Sequence, residues 1–168
     1  MSKGFKRIFQ RNAGVKSYDV VLPVRNVTLA VTNGAPGYGT VVVGGLPQGN
    51  ILFMGAVAYL QFTTADADVT ATFDGDYSLG TGPTADGSLS GSEVDIIPST
   101  ALGAATAKVS PNVRGVSAVA TSGTIFDNTD GTLEVNLNLL IDDAAISGNA
   151  DFTVEGAVYL SYKVMGDD

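Results

Sequence analysis

Alternation of apolar and polar residues with a period of two runs through most of the chain, and it predicts strands. The clearest case is 132–141, where Leu133, Val135, Leu137, Leu139 and Ile141 face one way and Thr132, Glu134, Asn136 and Asn138 the other. Segment 152–164 repeats the device, with Phe152, Val154, Gly156, Val158, Leu160, Tyr162 and Val164 inward. Val27, Leu29 and Val31 alternate with Thr28, Ala30 and Thr32 before an Asn33-Gly34 turn, a pair that tolerates positive φ. Val41–Val43 is a short β-branched run, and Val69, Ala71 and Phe73 alternate with threonines and Asp74. Val94–Ile97 reads as a brief strand stopped by Pro98, and 113–119 as another strand. Residues 99–107 suggest one or two helical turns capped by Ser99. The stretch from Asp74 to Ser92, rich in Gly, Asp, Ser and Thr, predicts a loop, or a loop with a short hairpin.

Segment 51–62 differs from the others because both of its faces are apolar. Ile51, Phe53, Gly55, Val57 and Tyr59 lie on one face, and Leu52, Met54, Ala56, Ala58, Leu60 and Phe62 on the other. A strand of this kind is expected to be covered on both sides. The second cover would be the N-terminal segment, a loop or another subunit, so Leu52, Met54, Leu60 and Phe62, or their opposites on the other face, are candidate oligomer contacts. Gly55-Ala56-Val57-Ala58-Tyr59-Leu60 echoes Gly156-Ala157-Val158-Tyr159-Leu160, one residue shorter. The slip argues against a true repeat and is compatible with two neighbouring strands.

About nine strands separated by glycine-rich turns, with no helical periodicity of any length, predict an all-β fold: an antiparallel β-sandwich. The expected core is Leu133, Val135, Leu137, Leu139, Phe152, Val154, Val158 and Leu160. At 168 residues the chain suits one domain, here 18–168, preceded by an arm, 1–17.

Charge sharpens that division. Residues 1–25 carry six basic residues against one acid, for +5; residues 26–168 carry three against sixteen acids, for −13, which together make the net −8. An acidic body opposes nucleic acid and anionic membranes, whereas the basic leader suits an acidic protein surface. Lys3, Lys6, Arg7, Arg11 and Lys16 supply the charge, and Phe5, Ile8 and Phe9 are candidate buried anchors. Charges interrupt those three apolar residues, so the leader is not expected to be a secretory signal. The apolar run Ile51–Leu60 is too short to span a bilayer as a helix.

Candidate chemistry is sparse. The chain has no Cys and no His, which excludes thiol nucleophiles, His-based triads and most zinc sites. Acidic clusters at Asp66/Asp68, Asp74/Asp76 and Asp127/Asp130/Glu134 have some of the residue types calcium wants. None has EF-hand spacing, and Asp, Asn and Gly are also turn formers. The turn reading is preferred, with no metal and no cofactor. No carboxylate pair sits in an apolar, aromatic-lined setting suited to glycoside chemistry. The expectation is a protein that is not an enzyme.

The stretch Phe73-Asp74-Gly75-Asp76-Tyr77-Ser78-Leu79-Gly80-Thr81, continuing through Thr84-Ala85-Asp86-Gly87 to Asp95-Ile96-Ile97-Pro98-Ser99-Thr100, resembles capsid decoration (cement) proteins of tailed bacteriophages. So does the whole, a small acidic Cys-free chain with a basic leader. The resemblance covers about a fifth of the chain. It implies a jelly-roll-like sandwich, a homotrimer, made in the host cytoplasm and bound to the major capsid protein on the outer surface of the virion. Shell stabilisation by bridging capsid subunits is the implied role, and the family brings no catalytic motif. A carbohydrate-binding or adhesion module of a fibre or cell surface is the competing reading. Aromatic loop residues and a calcium requirement would favour it.

Overall fold

The structure is a computed structural model and describes residues 16–118 and 121–165. Nine strands occur among them: β1 (Lys16–Thr32), β2 (Gly37–Gly45), β3 (Gly49–Thr63), β4 (Gly75–Gly80), β5 (Ile97–Ala101), β6 (Val113–Val116), β7 (Ile125–Asn128), β8 (Glu134–Ile141) and β9 (Ala150–Val164). The fold is all-β, as the alternation predicts, and jelly-roll-like, as the resemblance implies. The expected two separate sheets are one continuous antiparallel sheet, ordered β5-β4-β8-β2-β1-β9-β3-β6, with β7 also paired to β3.

The sheet becomes two layers because the β1–β2 hairpin is paired only at its turn end, Val31 with Gly39 and Thr32 with Tyr38. Beyond those pairs the strands part, β2 joining β8 and β1 joining β9. The far edges then meet. Ser117 Oγ, just past β6, donates to the Ile96 carbonyl at 2.7 Å, and Tyr77 of β4 lies against Gly115 of β6. The result is a nearly closed, sandwich-like barrel.

Between the layers lie Val135, Leu137, Leu139 and Ile141 from β8 and Phe152, Val154, Val158 and Leu160 from β9, all buried. Leu133 is only partly so. Aromatic pairs span the layers: Phe62 with Tyr77 at 5.6 Å and Phe73 edge-on to Phe152 at 5.2 Å between ring centroids. The echoing segments prove to be partners, since Leu60 pairs with Gly156, Ala58 with Val158 and Ala56 with Leu160.

Several expectations are corrected. Residues 69–73 form no strand; Val69 makes a single bridge to Ile146, while Phe73 plugs the core. The supposed loop after Asp74 begins with β4, an almost wholly buried strand. Its small residues reflect crowding rather than looseness, because a side chain at Gly75 would run into the Leu140 carbonyl. The helix expected over 99–107 is absent. β5 runs through Pro98, which is tolerated because β5 ends the sheet.

The polar face of β8 is covered rather than solvated. Asn138 is fully buried: its Oδ1 accepts from the Thr84 amide at 2.8 Å, and its Nδ2 donates to the Gly82 and Glu93 carbonyls at 3.0 and 3.1 Å. Ser78 Oγ donates to the same Glu93 carbonyl at 2.7 Å. Segment 81–95 is thereby pinned over β4 and β8. Gly156, expected inward, is exposed.

Candidate functional site

The other layer, β1-β9-β3-β6, has an outer face that no other described residues cover, and two bulges decide what it shows. β3 slips register between Phe53 and Gly55, where Gly55 adopts φ +152°, a conformation open mainly to glycine. The bulge swaps the two faces of the strand. Before it Ile51 and Phe53 point inward; after it Ala56, Ala58, Leu60 and Phe62 do. The apparent two-sided hydrophobicity is largely one core face that changes parity. β1 does the same between Val24 and Val27, so Val24 is buried before the slip and Leu29 and Val31 after it.

This corrects the proposed contact set. Leu60 and Phe62 are 0% exposed and present nothing to a partner. Leu52 is half-buried, and Met54 is 41% exposed on the outer face. Of the expected arm, Lys3, Phe5, Lys6, Arg7, Ile8, Phe9 and Arg11 lie outside the described residues. Lys16 is the first residue of β1, paired with Val164, so the strand starts before the boundary expected at residue 17.

What remains outside is an apolar surface in register. Val21, Tyr159, Val57 and Val116 are direct neighbours across β1, β9, β3 and β6. Val21, Tyr159 and Val116 are exposed by 53%, 47% and 40%. One row along, Pro23, Ala157, Tyr59 and Arg114 are aligned in the same way. The Tyr59 and Tyr159 rings meet edge-on at 6.5 Å, and Arg114 Nε donates to the Tyr59 hydroxyl at 3.2 Å. On the other side of the central row Asp19 aligns with Ser161 and Gly55. There the bulge and residues 116–118 and 122 frame a groove of about 540 Å³. Ser117 Oγ holds that frame by accepting from the Ala56 amide at 2.6 Å. The surface offers shape and apolar area, and among the described residues it brings no pair of reactive groups together.

The acidic clusters resolve as turn chemistry. Asp127 Oδ1 accepts from the Thr129 amide and hydroxyl, and Asp130 Oδ1 from those of Thr132. Those Thr129 bonds hold the Asp127 carboxyl below its ordinary range. Among the described residues no three acidic groups gather as a metal site would require. No helix there is long and apolar enough to cross a membrane. Tyr77, the aromatic placed in the expected loop, is 0% exposed, which removes it as a sugar platform.

The sequence reading reached only the β3 part of this face, Val57 and Tyr59 among the opposites of the named contacts, because the whole needs residues 21, 57, 116 and 159 to be brought side by side. The available signal was Val57 and Tyr59 in β3 and Tyr159 in β9, outward residues too apolar for a solvated face.

No family model and no curated protein sequence matches the chain. Among solved structures the chain is similar to one described as the structure of infectious bursal disease virus Gx strain, with a TM-score of 0.42 and 9% identity. The match covers 90% of this chain and 33% of that one, so this chain spans about a third of its length.

Proposed function

We propose that this protein is a structural virion component, a decoration protein that docks on the outer surface of a capsid and clamps neighbouring subunits. The observation that carries this reading is the segregation of charge: +5 in residues 1–25 against −13 in the remainder. The basic segment leads straight into β1, so a docked arm pulls on a strand paired along most of its length with β9.

Phe5, Ile8 and Phe9 each contribute roughly 1.5–3 kcal/mol if fully desolvated on the capsid. The flanking Lys and Arg residues contribute less each and mainly speed encounter. Ordering a free segment costs about 1–2 kcal/mol per residue, so one arm binds weakly. Two or more arms on one oligomer raise the effective concentration of every contact after the first.

The test uses the full chain with Phe5→Ser and Phe9→Ser, or with Lys6→Glu, Arg7→Glu and Arg11→Glu, and undecorated capsids from the particle with which the protein copurifies. Both variants are expected to keep the wild-type circular dichroism spectrum and lose cosedimentation. Undiminished cosedimentation rejects the arm as the docking element.

A further inference from the structure

We infer that the outer face of β1-β9-β3-β6 is a two-fold interface with a second copy of this chain. The face stands apart from the rest of the molecule in its charge. On a chain of net charge −8 it is balanced, with Asp19, Asp151 and Glu155 against Arg25, Arg114 and Lys163. Its centre, the Val21–Tyr159–Val57–Val116 row, is uncharged. Charge depletion at the centre with exposed tyrosines is the composition of interface cores. The exposed apolar side chains offer on the order of 500 Å² per copy; with its rim the face approaches the roughly 800 Å² that a standard interface buries on each side.

The placement of the charges selects the second copy as occupant. Asp19 sits on β1 one row to one side of the centre, and Arg114 on β6 one row to the other. From strand spacing and rise the two are about 20 Å apart, too far to pair within one protomer. A two-fold axis lying in the face, along its other diagonal, carries Asp19 of one copy over Arg114 of the second and Arg114 of the first over Asp19 of the second. Val21, Tyr59 and Tyr159 of both copies fill the space between. An interface of this kind is complementary to itself, which is the condition for a closed dimer. A three-fold ring needs two different complementary surfaces.

Sedimentation equilibrium of the full chain at micromolar concentration is expected to give twice 17.1 kDa. Asp19→Arg and Arg114→Asp each place like charges together and should raise the dissociation constant by about tenfold or more. The double variant restores the pairing with its signs exchanged and should return to within a few-fold of wild type. Tyr159→Ser, at the centre, should weaken the dimer without sensitivity to charge. All three positions changed are exposed, so circular dichroism should stay at wild type. A trimer, or a double variant no tighter than the single ones, overturns the inference. A monomer in which Tyr159 is shielded from solvent overturns it in favour of residues 1–15 as the cover. None of these outcomes depends on capsid binding, which is read separately.

Discussion

Asn138 ties three backbone groups of segment 81–95 to the middle of β8 while itself buried. Asn138→Ala orphans the Thr84 amide and removes a donor from the Gly82 carbonyl, while the Glu93 carbonyl keeps Ser78 Oγ, so a loss of about 2–3 kcal/mol is expected in urea unfolding. A loss below about 0.5 kcal/mol would mean that the segment is held by other contacts. Tyr77 is a different kind of buried polar residue. Its hydroxyl makes no good hydrogen bond, lies against Gly115, and burial pushes its pKa up to about 12. Above pH 10 the unfolded chain releases this proton and the folded chain does not. Stability from this group is therefore whole below pH 10 and is lost as pH climbs towards 12, a fall of about 2–3 kcal/mol. Tyr77→Phe should cost little at pH 7 and flatten that alkaline limb. An equally steep limb in the variant would assign the alkaline loss to other groups, Tyr162 among them, whose pKa is also raised by burial.

Strands with constant parity were legible and strands with a bulge were not. β8 and β9 keep one inward set from end to end, and nearly every core residue expected from them is buried. β3 carries the same information, but Gly55 shifts its phase midway, and a single glycine in an apolar run does not announce a bulge. β4 was illegible for the opposite reason: crowding by Leu140 and segment 81–95 selects Gly and Ser, the residues that also mark loops. The phase shift makes β3 a sharp test of the fold. Leu60→Ala should cost about 2–5 kcal/mol, as large-to-small changes in a full core do, whereas Met54→Ala on the outer face should stay within about 0.5 kcal/mol for the isolated protomer. Equal costs in thermal melts at low protein concentration would place both residues on the same side and contradict the bulge. Gly55→Val should also destabilise, because a β-branched residue cannot adopt φ +152° without strain.

In the molecule as a whole, the proposed docking segment and the proposed dimer face rest on different physics. The charge segregation was legible because the charges are contiguous in the chain; the apolar face was not, because it is assembled from four strands far apart in sequence. That difference gives the two surfaces opposite responses to salt. In the proposed docking the Lys and Arg residues of segment 1–17 meet the capsid, and the chain as a whole has a pI near 4.2, so an acidic capsid surface attracts that segment and repels the body. Raising ionic strength from about 0.1 to 1 M shortens the Debye length from roughly 10 to 3 Å and screens both. Attraction acts at the arm's short range and repulsion over the longer distance to the body, so encounter slows chiefly through the arm. The apolar face is held by burial, with one Asp19–Arg114 pair at each end, and burial is not weakened by screening. Kinetics on immobilised undecorated capsids should therefore show an association rate that falls by at least about tenfold over this range. The dissociation constant of the dimer, measured in the same buffers, should move by only a few-fold. A capsid association rate indifferent to salt would remove charge from the docking step and leave Phe5, Ile8 and Phe9 as its sole drivers. A dimer that falls apart at high salt would show that its charged rim, and not the Val21–Tyr159–Val57–Val116 row, holds the copies together.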